Sequence, residues 1–332
     1  MPESIALIQH EDRPMTSSAK AVLPAVPAVP ALGSERVGAL LVLLSAIVWS
    51  SSGTLALFLA DLSSWTVVFW RTLWAAAFLL GFMLWRDGWP ETVRMFRRMG
   101  VPGVAVAVCF GIAGSCFVIA VSLTTVANIV LMQAGVPLFA ALLAFLVFRE
   151  RISLATWIAI AAVIAGVAVM VSDSFGSSGS FAGNALALTI AVVFAVATVI
   201  TRRFSHVRMT PANCLGMVLA ALFAATQAPS FAVGAGDFAL LAAFGMLNLG
   251  LGLALFASGA RLVPAALAAL LGTMETVLSP IWVWLIHGQV PASRTLIGGA
   301  IVFCALLLHL GLEFARQRRP QKPGTTGVNL PQ

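Results

Sequence analysis

Ten apolar runs, each close to the length of a helix that crosses a bilayer, occupy most of this chain. They cover residues 37–60, 64–85, 101–122, 125–148, 154–172, 183–201, 212–230, 237–259, 263–286 and 294–315. About 20 apolar residues, rising about 1.5 Å each, span the hydrocarbon core. A segment in lipid must bond all its own backbone polar groups, which a helix does. The runs therefore predict an all-α integral membrane fold with ten transmembrane helices. Composition agrees, since 60% of the 332 residues are hydrophobic and only 9% are charged. A soluble domain carries about 25% charged residues, and one this apolar would aggregate.

Arginine placement orients the spans. Arg86, Arg94, Arg97 and Arg98 follow the second run, Arg149 and Arg151 the fourth, and Arg202, Arg203 and Arg208 the sixth. Arg261 follows the eighth, and Arg316, Arg318, Arg319 and Lys322 the tenth. The alternate connections carry Asp61, Asp173 and Asp237, with Arg294 the exception. Basic loops stay in the cytoplasm, so both termini are expected there. The net charge of +7 thus reflects topology, and nucleic acid is not an expected partner. Residues 1–36, broken by Pro24, Pro27 and Pro30, and residues 316–332 read as disordered cytoplasmic tails.

A constant shift superposes Leu123 on Leu262, Ala127 on Ala266, Leu131 on Leu270 and Thr156 on Thr295. This divides the chain into repeats at 37–172 and 183–315, joined by the Gly/Ser-rich segment 173–182. An odd number of spans per repeat inserts the second upside down, as in many secondary transporters. Cys109, Cys116, Cys214 and Cys304 lie inside apolar runs as small hydrophobes. No spacing suits a metal, a phosphate loop or a catalytic nucleophile, so no cofactor is expected.

The first span carries Trp49-Ser50-Ser51-Ser52-Gly53 and the second Phe69-Trp70-Arg71-Thr72. The fourth carries Val136-Pro137-Leu138 with Glu150, and the ninth Glu275-Thr276-Val277 with Pro280. With these motifs the chain resembles the EamA type of the drug/metabolite transporter superfamily. The second repeat departs from the family pattern, with Gly288-Gln289 where Gly-Glu is usual and Thr276 where Pro is usual. The resemblance implies two five-helix repeats, a bacterial inner-membrane location and export of amino acids or related metabolites. It also implies a cavity built by spans one to four and six to nine, with spans five and ten outside it and available for a homodimer.

Polar groups inside a membrane are costly and mark function or helix ties. Glu275, central in span nine, reads as a contact for a solute amine or as a site for protons as coupling ion, or else as an interhelical tie. Arg71 reads as a grip on a solute carboxylate, or as the partner of a carboxylate or of helix-end carbonyls. The two are candidate partners in a gate that pairs in one conformation and parts in another. Trp49 and Ser50 lie at a potential helix break, and Trp70 and Trp74 share one face of span two. Gln133 and Asn248 could line a cavity or bond between helices. Pro137 and Pro280 would kink corresponding spans. Glu150, between Arg149 and Arg151, reads as a solvated ion pair or a helix tie.

A secondary carrier for a small solute in the lipid bilayer best fits these features, and an importer of a vitamin or sugar-like solute would use the same architecture. A membrane enzyme acting on lipid would need clustered acids, lysines or histidines. His10, His206, His287 and His309 are scattered, and both lysines lie in the tails. A non-transporting scaffold would tolerate loss of Arg71 and Glu275.

Overall fold

The computed structural model describes residues 32–149, 153–172, 178–204, 207–260, 262–263 and 265–317, which are helical with no strand among them. Most of the expected tails, residues 173–177 of the 173–182 connection and Glu150 lie outside the described residues. In chain order the helices are α1 (Leu32–Ser50), α2 (Ser52–Phe58), α3 (Ser64–Arg98), α4 (Gly100–Val121), α5 (Val126–Gln133), α6 (Val136–Phe148) and α7 (Leu154–Ser172). They continue with α8 (Ser178–Arg203), α9 (Thr210–Gln227) and α10 (Ala235–Ala242). A π-helical stretch (Ala243–Leu251) then leads into α11 (Gly252–Gly259), α12 (Ala265–His287) and α13 (Ser293–Gln317).

Three expected boundaries shift. Helix α1 begins at Leu32, inside the expected tail, with Glu35 in its first turn, where a carboxylate complements the helix dipole. Helix α8 begins at Ser178, inside the expected connection. Helix α13 continues to Gln317, past the expected end of the second repeat. The expected loop after residue 85 is also helical, because α3 resumes after a break at Gly88, whose φ of 73° suits glycine. Thr92 Oγ1 donates to Gly88 O at 2.8 Å and steadies the restart.

Six stretches are long and apolar enough to cross a bilayer: Glu35–Phe58, Ser64–Arg98, Gly100–Val121, Phe181–Arg203, Ala235–Gly259 and Ser293–Leu312. Helices α5 and α6, bent by 44°, make a seventh if they form one span. Of the ten expected spans, those on α7, α9 and α12 fall outside this group. The apolar part of α7 (Leu154–Met170) is short. Helix α9 has 18 residues, with Asn213 near its start and Gln227 at its end.

Packing follows a paired pattern. Helix α1 lies on α12 and α11, and α8 lies on α5, α6 and α4. Helix α3 lies on the π stretch as α4 lies on α9, while α3 meets α9 and α7 meets α13. Exchanging corresponding elements of the two halves converts each pairing into another or into itself. Glycine lets several of these backbones touch. A Cβ at Gly111 of α4 would come 2.9 Å from Gly216 O of α9. One at Gly38 of α1 would come 3.0 Å from Gly259 O of α11, and one at Gly166 of α7 would come 2.7 Å from Gly298 O of α13. In lipid, where burial gives no hydrophobic gain, such close approach is a main source of helix affinity.

Candidate solute-binding site

The run Trp49–Gly53 breaks a helix. Ser50 Oγ donates to Ile47 O at 2.6 Å and Ser51 Oγ to Val48 O at 2.8 Å. Such back-bonding competes with the helical ladder and bends it. Asn248, in the π stretch, reaches across to this break. Its Nδ2 donates to Val48 O at 2.6 Å and to Ser51 Oγ at 3.0 Å, and its Oδ1 accepts from Ser52 Oγ at 2.9 Å. Asn248 is 2% exposed, and in this conformation its amide is engaged in tying helices. π-Helical turns are frequent at functional sites. Ser50 also accepts from Trp282 Nε1 of α12 at 3.0 Å. Trp49 packs on Phe256, with ring centroids 5.5 Å apart, and its Nε1 is buried without a partner.

Arg71 is buried between α3, α4 and the π stretch, 4% exposed. Its Nη1 donates to Gly114 O at 3.3 Å, and its Nε has no partner. The guanidinium carbon lies 4.3 Å from the ring centre of Phe244 and 5.3 Å from that of Phe117, a cation–π sandwich. Trp70 and Trp74 both meet Phe238 edge-on, with centroids 5.1 and 5.6 Å away. Trp70 Nε1 donates to Phe231 O at 3.2 Å, whereas Trp74 Nε1 is buried without a partner.

The remaining predicted residues stand apart from this group. Glu275 is half-buried on α12, which packs on α1, α2, α5 and α13. The ion pairs among the described residues are Arg86–Asp87, Arg94–Glu91 and Arg208–Asp87, so Arg71 and Glu275 are not paired in this conformation. Gln133 Nε2 makes a local bond to Ile129 O at 3.4 Å. Pro137 sits in the first turn of α6, just past the bend from α5. Pro280 lies inside α12, near Thr125, Gln289 and Pro291.

Asn128 stands out in the sequence as a polar residue in the outer half of span four, but its partners do not. Asn128 Nδ2 donates to Asn184 Oδ1 at 3.0 Å, and Asn128 Oδ1 accepts from Thr295 Oγ1 at 2.6 Å. Thr124 Oγ1 donates to the same Asn184 oxygen at 2.8 Å. This network ties α5 to α8 and α13. Its legible signal was an asparagine inside each of two apolar runs. Phe117, Phe244 and Gly114, which surround Arg71, carried no signal, being ordinary residues of apolar helices. At the basic end, Arg208 Nη1 donates to Asp87 Oδ1 at 3.1 Å, joining the two halves outside the core.

Known proteins place this arrangement. Fifteen chains of solved structures match the fold. One of them, described only as the crystal structure of a protein, aligns with a TM-score of 0.60 at 19% identity, over 86% of this chain and 99% of its own. No curated protein matches. The EamA-like transporter family matches twice, over residues 36–172 and again over 181–311. The chain belongs to the EamA-like transporter family and is a multi-pass membrane transporter of the drug/metabolite type.

Proposed function

We propose that this transporter is a secondary carrier that works by alternating access, with ten spans in two inverted five-helix repeats. The pairing of elements across the halves supports this reading, because each half packs on the other in the same way. The observation that carries it is the bond from Asn248 to Val48 O at 2.6 Å, where a π stretch of one half meets a helix break of the other. Discontinuous helices facing each other between repeats are where carriers hold solute.

In this reading Trp49, Ser50, Trp70, Arg71, Trp74, Gln133, Asn248 and Glu275 border the solute path, and Pro137 and Pro280 accommodate the rocking. Glu275 is the proton-coupling site, and Arg71 with Glu275 forms a gate in another conformation. Both termini face the cytoplasm of the bacterial inner membrane. The solute is an amino acid or related metabolite, and export is the favoured direction. Helices α7 and α13 are the surface for a homodimer.

Uptake into proteoliposomes from a mixed metabolite panel, with and without a pH gradient, tests the carrier. The expected result is saturable accumulation of a small set of related solutes. Equal accumulation in protein-free vesicles would overturn it. Metabolite profiles of a deletion strain and an overexpressing strain then give the direction.

A further inference from the structure

We propose that Arg71 and Trp74 together form the binding site for a carboxylate, so that the transported solute is a monocarboxylate with an apolar body. The proposal rests on the carrier reading and deepens it by naming the solute class.

Arg71 is 4% exposed and keeps its charge under all physiological conditions. No carboxylate among the described residues pairs with it. Its Nη1 bond to Gly114 O is long, at 3.3 Å, and its Nε is without a partner. One turn along α3, Trp74 Nε1 is also buried without a partner. Residues three apart are neighbours on one helix face. Helix α3 therefore carries two buried N–H donors without partners, three positions apart, one of them on a fixed cation.

A buried cation without a counter-ion is among the costliest arrangements in a membrane. Two aromatic faces partly compensate, with Phe244 at 4.3 Å and Phe117 at 5.3 Å from the guanidinium carbon. Those faces supply no lone pair to Nε or to the indole. A carboxylate would, because its two oxygens match the planar fork of a guanidinium. A single positive charge balances one negative charge, so a phosphate dianion would remain uncompensated there. A solute with an ammonium and no carboxylate would be repelled, and a sugar hydroxyl would leave the cation unneutralised. The neighbours are aromatic, with Phe117 and Phe244 on Arg71 and Phe238 on Trp74, and they suit an apolar body. Access requires the π stretch to part from α3. Gly245 now allows close contact there, since a Cβ at that position would strike Arg71 O and Trp74 Cβ. Alternating access supplies that separation.

The test uses the purified full chain with 3-phenylpropionate, 3-phenylpropionamide and phenethylammonium as probes. Binding is read by the shift in thermal unfolding, and transport by counterflow of each labelled probe in proteoliposomes. The carboxylate is expected to stabilise the protein and the other two are not. Arg71→Gln should abolish the shift. Trp74→Phe keeps the ring, loses the donor and should weaken the apparent affinity about tenfold. The assignment is overturned if the carboxylate gives no shift, if the amide matches it, or if folded Trp74→Phe binds as well as the parent. Counterflow of a metabolite extract separates this from the carrier reading. Stabilisation by the carboxylate without any counterflow keeps the site and sinks the carrier. Counterflow without a preference for the carboxylate keeps the carrier and sinks the site.

Discussion

Asn248 and Val48, 200 positions apart in sequence, are joined by a 2.6 Å hydrogen bond from the asparagine amide to the valine carbonyl. The carbonyl lies one turn before a helix break, and the amide lies in a π-helical stretch. Replacing Asn248 by Leu would leave Ser52 Oγ without its acceptor and remove two bonds to the break. Unmet buried polar groups cost about 1–3 kcal/mol each. Asn248→Leu is expected to lower the unfolding temperature in detergent and to reduce transport together with it. Asn248→Asp, which keeps the acceptor and loses the donors, should fall between the two.

Glycine crossings should be intolerant of bulk. Gly166→Val would drive a side chain into Gly298 O and Val302 at the α7–α13 contact, and overpacking costs about 1–3 kcal/mol. Gly81→Ala, where a Cβ meets nothing within 4 Å, is expected to be neutral or to stabilise by about 0.5–1 kcal/mol. Thermal unfolding of both variants checks the contrast.

The Arg208–Asp87 pair joins the two halves at the basic end, with the arginine side chain 42% exposed. Asp87 is only 12% exposed and also pairs with Arg86, so its two pairs exceed an ordinary exposed pair of about 0–1 kcal/mol. Asp87→Asn is therefore expected to lower thermal stability. If the pair latches one conformation, the same variant will shift the transport rate, and the shift will shrink in high salt.

Topology can be read by labelling. In a background with Cys109, Cys116, Cys214 and Cys304 replaced, single cysteines at positions 61 and 237 should react from the periplasm. Cysteines at 97 and 208 should react only after the membrane is opened. The same side for 97 and 237 would remove the inverted arrangement.

Glu275 carries the proton-coupling proposal. Glu275→Gln is expected to abolish acceleration of uptake by a pH gradient while leaving counterflow, which needs no net proton movement. A full pH response in that variant would move coupling elsewhere.

The sequence was sufficient for the class of fold. Hydropathy at lipid length, paired with charge between the runs, leaves helices in a bilayer as the stable arrangement, and loose motifs such as Phe69-Trp70-Arg71-Thr72 placed the chain in its family. Periodicity also flagged Arg71, Glu275 and Asn248, because any polar residue in an apolar run stands out. It could not say which of them meet. Helix boundaries moved too, at Leu32 and Ser178, and helix resumes beyond residue 85 after the break at Gly88, since apolar run length marks the span and not the ends of the helix.

Sequence alone therefore determined that the chain lies in a membrane and flagged Arg71 and Asn248 as polar groups inside it, because hydropathy is a property each segment expresses by itself. Only the tertiary structure decided that Asn248 is spent on the break at Val48–Ser52 while Arg71 and Trp74 keep open donors between aromatic rings. Those outcomes depend on directional contacts between residues far apart in the chain, and no local pattern encodes them.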